Sequence, residues 1–274
     1  MNRSPGRGPL HVLVMAKAPR PGRVKTRLCP PCSPAEAAAI AEACLADTLE
    51  AVAGCRADRK VVALDGPPGP WLPPGFEVIA QRGSSFDRRL AHAWGDLAEG
   101  RGCGLQIGMD TPQITSELLD TQLALLTGSG AGDAPCPRWV GAVPPIPGPG
   151  SAGFGGPTRA VLGRGSPFGA VPVPRRAVLG PATDGGWWLI GLPRTDPRWV
   201  FHGVPMSTAS TGAAQARRLL DLGFEVLTGP ELRDIDYIDD LLRVTASIPD
   251  SRTARVAKQI LDWPDGALVT GVSA

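Results

Sequence analysis

The chain of 274 residues is long enough to bury one sizeable hydrophobic core, so one domain with an insertion is the simplest expectation. Its formal net charge of +2 excludes the global basic field that favours nucleic acid as a partner, and no run of about 18 apolar residues predicts a membrane span. Residues 1–9 are polar and rich in Gly and Pro, without the apolar segment of a signal peptide, so we expect a disordered tail and a cytoplasmic protein.

Short apolar runs alternate with helix-like segments through the first half of the chain. The run HVLVMA at 11–16 has the composition of a buried strand. Ser33 followed by Pro34 predicts the start of an Ala-rich helix that ends near Gly54. Further strands are predicted at 60–64, 76–80 and 105–109, and further helices at 85–97 and 116–126.

Residues 128–176 differ in kind from the segments before them. They are dense in Gly and Pro and lack the apolar periodicity of a helix or a strand. A structureless stretch of this length is uncommon inside a compact domain. We therefore predict a flexible surface insertion with one short strand at 139–143, and a functional lid is the alternative.

Regular structure resumes after the insertion, with strands predicted at 177–179, 187–192 and 224–228, and helices at 208–222, 237–247 and 251–263. Strands that alternate with helices predict an α/β fold whose mostly parallel central sheet carries helices on both faces. We expect a single domain over residues 10–248, followed by a C-terminal helix and tail at 249–274. Ligands bind at the carboxyl ends of the strands in such sheets, so the residues after each strand are the candidates for function.

The loop after the first strand is unusually cationic. The chain has four lysines, and two of them lie here with three arginines and a glycine: Lys17, Arg20, Gly22, Arg23, Lys25 and Arg27. Glycine allows backbone N–H groups to approach an anion, and Lys and Arg neutralise it, so the loop 17–28 predicts a polyphosphate site. Pro19 and Val24 stand where a P-loop requires glycine, so this is not a P-loop. The alternative is a solvated basic loop.

Carboxylates follow three later strands. Asp110 comes directly after the strand 105–109, where it would bind a divalent cation or instead cap the next helix. Asp184 precedes Gly185 and Gly186, and this group would contact a ligand or simply form a hairpin turn. Asp234 and Asp236 are two residues apart, so in extended backbone both would reach one metal ion, whereas Asp239 and Asp240 better fit a helix N-terminus.

A polar segment also follows the third strand. Gln81 and Gly83 come directly after it, and Arg88 and Arg89 lie on the next predicted helix. Such side chains would contact the base, ribose or phosphate of a nucleotide, and surface salt bridges are the alternative. His11, His92 and His202 are isolated in sequence and form no ligand pattern, so they are assigned no role.

Together these motifs resemble the DUF2064 family of glycosyltransferase-like proteins, the selenodomain-associated transferase group. The resemblance is carried in order by Lys17-Ala-Pro-Arg-Pro-Gly22 with Lys25-Thr26-Arg27-Leu28, Gln81-x-Gly83, Gly108-x-Asp110-x-Pro112, Gly180-Pro181-x-x-Asp184-Gly185-Gly186 and Asp234-Ile-Asp236. It spans most of residues 12–241 outside the insertion. The Lys-Thr-Arg-Leu piece is also similar to Lys-Ser-Arg-Leu in phospholactate guanylyltransferases.

The resemblance implies a GT-A-type, Rossmann-like nucleotide-diphospho-sugar transferase fold with Mg²⁺ or Mn²⁺ bound by Asp110, Asp234 and Asp236. It departs from the family where Phe86-Asp87-Arg88-Arg89 keeps only Arg89, and where Met206-Ser207 replaces Trp-Ser. Catalytic roles are expected for Lys25, Asp110 and Asp184, and acceptor contacts for Gly185 and Gly186. The residues expected to bind the nucleotide are Lys17, Pro19, Gly22, Lys25, Thr26, Arg27, Gln81, Gly83 and Arg89.

Three functions are compatible with these residues. The first is metal-dependent transfer from a nucleotide-activated donor, a nucleotide sugar, to a small-molecule acceptor. The second is nucleotidyl transfer, in which a phosphorylated acceptor attacks a nucleoside triphosphate and pyrophosphate leaves. The third is a non-catalytic nucleotide-binding protein, against which the retained aspartates and loop lysines argue. These motifs do not indicate the nucleotide base, the acceptor or the oligomeric state.

Overall fold

The computed structural model describes residues 9–98, 103–128 and 175–261, which form seven strands and seven α-helices. The strands are β1 (Leu10–Lys17), β2 (Arg59–Asp65), β3 (Glu77–Ala80), β4 (Cys103–Ile107), β5 (Arg176–Pro181), β6 (Trp187–Leu192) and β7 (Glu225–Thr228). The helices are α1 (Pro34–Gly54), α2 (Phe86–Ala98), α3 (Ser116–Thr127), α4 (Pro197–Phe201), α5 (Thr211–Asp221), α6 (Ile238–Ser247) and α7 (Arg252–Ile260).

The strands form one mostly parallel sheet in the order β3-β2-β1-β4-β6-β5-β7. The pairs β1–β2, β2–β3, β1–β4 and β5–β7 are parallel, whereas β6 runs antiparallel to both of its neighbours, β4 and β5. The predicted α/β class and parallel sheet are therefore confirmed. The chain leaves β1 towards β2 and leaves β4 towards the opposite edge, so the strand order reverses between β1 and β4. Such a reversal opens a crevice at the carboxyl ends of the two strands.

Both faces of the sheet are covered, as predicted. Val12 and Val14 of β1 point to a core under α1 and α3, and Leu13 and Met15 point to a core under α2, α4 and α5. Alternate residues of a strand face opposite sides, so a strand that is buried on both sides is apolar along its whole length. This is why HVLVMA carries no polar alternation.

A third, smaller core lies beyond α1 and holds the functional loops in place. Leu28, at the end of a short 3-10 helix (Thr26–Leu28), packs there with Ile40 of α1, Ile235 and Leu241 of α6. The Ile235 N–H also donates to the carbonyl of Asp110 at 2.9 Å. These contacts bring together the cationic loop, the end of β4 and the segment 234–236, although they lie up to about 210 residues apart in the sequence.

Several element boundaries differ from the predicted ones. Helix α4 was not predicted, because its five residues are too few to show an apolar period. Helix α5 begins at Thr211 rather than Thr208, since residues 208–210 form a turn that precedes it. The predicted strand 139–143 and most of the insertion lie outside the described residues. None of the described helices is long and apolar enough to cross a membrane.

His11 predicts a measurable dependence of stability on pH. Its side chain is 1% exposed, and burial, helped by the charge of Arg59, lowers its pKa to about 4. Below the usual pKa of about 6.5 the unfolded chain takes up a proton that the folded chain refuses, so stability is lost as the pH falls from about 6.5 to 4, by up to about 3 kcal/mol. Urea unfolding at pH 7 and pH 5 should show this loss in the protein and a smaller one in the His11→Phe variant. The exposed His92 provides the control: an equal loss in His11→Phe and His92→Gln would contradict the assignment.

Candidate functional site

A cavity of about 620 Å³ lies at the carboxyl ends of β1 and β4, in the crevice where the strand order reverses. This volume falls within the range of about 300–1,000 Å³ that is usual for small-molecule sites. The cationic loop after β1 supplies much of its polar wall. The remaining polar residues follow β3 and β4, lie at the start of α2, or belong to the segments 206–207 and 234–236. The loop residues that line the cavity are Lys17, Arg23, Val24, Lys25, Thr26 and Arg27.

Lys25 is the centre of this site. Its side chain is only 8% exposed, and its Nζ donates to Asp110 Oδ2 at 2.8 Å and to Asp236 Oδ1 at 3.3 Å. Burial alone would lower the pKa of Lys25, but the two carboxylates outweigh burial and raise it above its usual value. Arg27 reinforces the arrangement, since its guanidinium donates to Asp236 Oδ2 at 2.9 Å. The site therefore holds a permanently charged ammonium between two carboxylates.

Backbone strain is concentrated at the same place. Among the described residues, the non-glycine positions with positive φ are Lys25 (φ 46°) and Ser207 (φ 59°), and both line the cavity. The left-handed conformation costs a residue with a side chain about 1–2 kcal/mol. Residues held in such conformations cluster at binding and catalytic sites, because the surrounding structure must over-determine them.

Asp234 lies beside this site in a second, smaller cavity. Burial and the nearby charge of Asp110 raise its pKa to about 7, although a hydrogen bond from the Thr111 hydroxyl opposes the rise. The side chains of Asp234 and Asp236 flank the buried Ile235 and line the two adjoining cavities. Asp240 has the helix-terminal role predicted for it, since its carboxylate accepts from the backbone N–H groups of residues 236 and 237 at 3.3 and 3.0 Å.

Gln81 and Arg89 form another part of the cavity wall. The Gln81 Nε2 donates to the carbonyls of Ala16 and Ala63 at 2.8 and 2.9 Å, so the end of β3 is tied to β1 and β2. Arg89, on α2, donates to Asp65 Oδ2 at 3.2 Å and to the carbonyl of Gly83 at 3.3 Å. Arg89 therefore forms a surface salt bridge, with Asp65, and also lines the cavity.

The segment 183–186 forms the turn between the antiparallel strands β5 and β6 and also faces the second cavity. The Asp184 Oδ1 accepts from the Gly186 N–H at 2.8 Å, which fixes the turn. Asp184 and Gly186 line a cavity of about 210 Å³ that shares Asp110 and Ser207 with the larger one. The sequence left a hairpin turn and a ligand site as alternatives for this segment. In the structure the segment forms the turn, and the turn places Asp184 at the cavity.

Four residues expected at the site line neither cavity: Pro19, Gly22, Gly83 and Gly185. The three glycines have positive φ and shape the loops instead. At Gly185 a Cβ atom would lie 2.0 Å from the Ala209 carbonyl oxygen, so this residue allows the hairpin turn to pack against the segment before α5. Conversely, Met15, Phe86 and Ser207 line both cavities but were not predicted as site residues, although Phe86 and Ser207 lie in the family-motif segments 86–89 and 206–207.

Carboxylate oxygens of Asp110 and Asp236 converge on one point, and a side-chain cation occupies that point. Within the described ranges, no three His, Cys, Asp or Glu side chains form a group that could hold a metal ion as they stand. Lys25 Nζ is nevertheless a stand-in that marks where oxygens of Asp110 and Asp236 converge. Carboxylate oxygens are the ligands that Mg²⁺ and Mn²⁺ prefer, so these residues suit such an ion if Lys25 withdraws.

Comparison with known proteins gives a family and a fold. The family described as "Uncharacterized protein conserved in bacteria (DUF2064)" matches residues 37–137 and 173–208. No curated protein matches the chain. A Desulfovibrio desulfuricans G20 protein, assigned provisionally as a nucleotide-diphospho-sugar transferase, has a similar crystal structure with a TM-score of 0.67 and 23% identity, over 91% of this chain and 94% of that one. This likeness shows that the two proteins share a fold, in agreement with the predicted α/β class and mostly parallel sheet.

More distant structures share less of the architecture. The Rv0371c protein of Mycobacterium tuberculosis H37Rv, crystallised with manganese, is 13% identical over 87% of this chain and 99% of that one. Its TM-score is 0.46, which is too low for any comparison of sites.

Proposed function

We propose that this chain, which belongs to the DUF2064 family, is a metal-dependent transferase that uses a nucleotide-activated donor, a nucleotide sugar, and a small-molecule acceptor. The observation that carries the proposal is the 620 Å³ cavity, where the cationic loop after β1 faces the carboxylates of Asp110 and Asp236. The fold is also that of the D. desulfuricans protein assigned provisionally as a nucleotide-diphospho-sugar transferase.

The donor's phosphates would bind to the loop after β1. Lys17, Arg23 and Arg27 line the cavity, and Lys17 and Arg27 are exposed enough to meet an incoming anion. Lys and Arg neutralise phosphate oxygens and donate charge-assisted hydrogen bonds to them. Gln81 and Arg89, at the ends of β3 and α2, would contact the nucleoside part of the donor.

The carboxylates opposite the loop would hold Mg²⁺ or Mn²⁺. Asp110 and Asp236 already converge on a cation, and Asp234 lies beside them in the adjoining cavity. The ion would offset the negative charge that develops on the departing diphosphate. Lys25 would then be free to donate to the phosphates, and Asp184 would orient the acceptor from the second cavity.

Donor binding is tested by thermal unfolding in the presence of nucleotides. The protein is heated with Mn²⁺ alone, then with Mn²⁺ and each of a panel of nucleoside diphosphates, triphosphates and nucleotide sugars. A ligand at about 100 times its Kd stabilises the folded state by about 2.7 kcal/mol, which raises Tm by about 5–10 °C for a domain of this size. A panel in which no nucleotide changes Tm would contradict the proposal.

The products then separate the two modes of transfer. Release of a nucleoside diphosphate from a nucleotide sugar supports glycosyl transfer, whereas pyrophosphate released from a triphosphate would replace it with nucleotidyl transfer. Binding of nucleotides without turnover, across a broad acceptor panel, would favour a non-catalytic nucleotide-binding protein.

A further inference from the structure

The second cavity differs in chemistry from the one that would bind the donor. Its volume is about 210 Å³, below the roughly 300–1,000 Å³ that is usual for sites of drug-sized ligands. It adjoins the donor cavity at Asp110 and Ser207, which line both. The cavity therefore suits a small group, such as a substituted six-membered ring, that reaches the donor cavity at one end.

The walls of the second cavity combine apolar and polar side chains. Leu90 of α2 and Ile107 of β4 are buried on one side, and Phe86, Trp187 and Met206 contribute partly exposed surface. Removal of apolar surface from water would favour a ligand with an apolar body, by roughly 25 cal/mol for each Å² that is buried. Ser207, Thr208 and Thr211 add hydroxyl groups to the wall, so a ligand with an apolar body and a few polar substituents would find partners for both.

The charges that line this cavity are all negative. Asp110, Asp184 and Asp234 face it, and none of its described lining residues is Lys or Arg. The donor cavity, by contrast, has Lys17, Arg23, Lys25, Arg27 and Arg89 in its wall. With a divalent ion at Asp110 and Asp234, Asp184 would still be a carboxylate without a cationic partner among the described lining residues, which disfavours a phosphate or carboxylate group placed against it.

Asp184 supplies a free hydrogen-bond acceptor to the cavity. Its Oδ1 accepts from the Gly186 N–H at 2.8 Å, and its Oδ2 accepts no hydrogen bond from the described residues. A divalent cation at Asp110 and Asp234 would satisfy those two carboxylates and still leave Asp184 available. Oδ2 suits a donor on the ligand, which is a hydroxyl or an ammonium group.

We infer that the acceptor is a small alcohol or amine with an apolar body and without a phosphate or carboxylate group. This inference rests on the proposed function, because it takes the second cavity as the acceptor side of that site. It also bears on the mode of transfer: the phosphate of a phosphorylated acceptor, which nucleotidyl transfer as considered above requires, would have to bind away from Asp184.

The probes for the test are four compounds with one apolar ring and different head groups. They are cyclohexanol, cyclohexylamine, cyclohexanecarboxylate and cyclohexyl phosphate, and their binding to the full chain is measured by ligand-observed NMR. We expect the alcohol and the amine to bind at least ten times more tightly than the two anions. Equal or tighter binding of either anion, or no binding of the alcohol and amine, would overturn the inference.

Two variants assign the binding to this cavity. Asp184→Asn should weaken cyclohexylamine several-fold while cyclohexanol is little changed, and Asp221→Asn, on the exposed surface of α5, should change neither. Thr208→Lys adds a cation to the exposed rim and should bring cyclohexyl phosphate to at least the affinity of cyclohexanol. If Asp184→Asn and Thr208→Lys leave all four affinities unchanged, the probes bind elsewhere and the inference is wrong.

A failure of this inference can be distinguished from a failure of the proposed function. A nucleotide-induced rise in Tm together with preferred binding of the anionic probes overturns the acceptor class and leaves the donor site standing. Preferred binding of the alcohol and amine, without any effect of nucleotides on Tm, contradicts the proposed transferase and retains the ligand class of the cavity.

Discussion

We expect the Asp110→Asn variant to lose kcat/KM by about 10² to 10³, once a donor and an acceptor have been identified. Asp110 lines both cavities and accepts from Lys25 Nζ at 2.8 Å, so its charge acts where donor and acceptor would meet. Removal of one preorganised electrostatic contact to the reacting groups commonly costs a factor of this size. The measurement is steady-state turnover with Mn²⁺, and the nucleotide-induced rise in Tm shows separately whether the donor still binds.

The fold should survive this substitution. Asn retains an oxygen that accepts from Lys25, Asp236 remains within 3.3 Å of the ammonium, and the side chain of Asp110 is 32% exposed. We therefore expect the free energy of unfolding to fall by less than about 2 kcal/mol. The matched control is Asp221→Asn, whose carboxylate pairs with Arg217 on the surface of α5 and lines neither cavity. Full turnover in Asp110→Asn would remove this residue from the site.

The position of the site was open to prediction because parallel strands share one carboxyl edge. Lys17 ends β1 and Asp110 follows β4, and these strands are neighbours in the sheet. Short apolar runs such as HVLVMA identify the strands, and the residues after them must then gather at the same edge. The contact between Lys25 and Asp110 links positions 85 residues apart for this reason.

Strand direction and backbone strain could not be predicted in the same way. The run WWLIGL forms β6, which is antiparallel to β4 and β5, but a strand buried on both faces has the same apolar pattern in either direction. Ser207 adopts positive φ, and a serine in the sequence carries no signal of that conformation. Its place between the two cavities was therefore missed.

The glycines illustrate a further limit of motif-based prediction. Gly22, Gly83 and Gly185 belong to the family motifs, yet none of them lines either of the two cavities at the site. Each has positive φ, so these motifs include positions that the loop needs as well as positions that would touch a ligand. A motif taken from a family therefore does not distinguish a contact from a turn, and only the folded structure separates the two roles.

The second large effect is expected for Lys25→Met, which should bind Mn²⁺ at least ten times more tightly than the unchanged protein when nucleotide is absent. The ammonium now lies where Asp110 and Asp236 converge, at 2.8 and 3.3 Å, and it excludes another cation from that point. Methionine has a similar length without the charge. In this variant Asp110 and Asp236 would lose the ammonium group that they share, so they should attract a divalent ion more strongly. Titration calorimetry and the EPR signal of free Mn²⁺ both measure this affinity without turnover.

The same substitution should abolish turnover, because Lys25 could no longer contact the donor's phosphates. Without metal, Lys25→Met leaves Asp110 and Asp236 with one charged partner fewer, so its Tm should fall and then recover as Mn²⁺ is added. Lys60→Met is the control, since Lys60 lies at the amino end of β2, away from the carboxyl edge of the sheet, and should alter neither Mn²⁺ affinity nor turnover. An unchanged or weaker Mn²⁺ affinity in Lys25→Met would mean that Asp110 and Asp236 bind the lysine and not a metal, and the metal-dependent part of the proposed function would then be wrong.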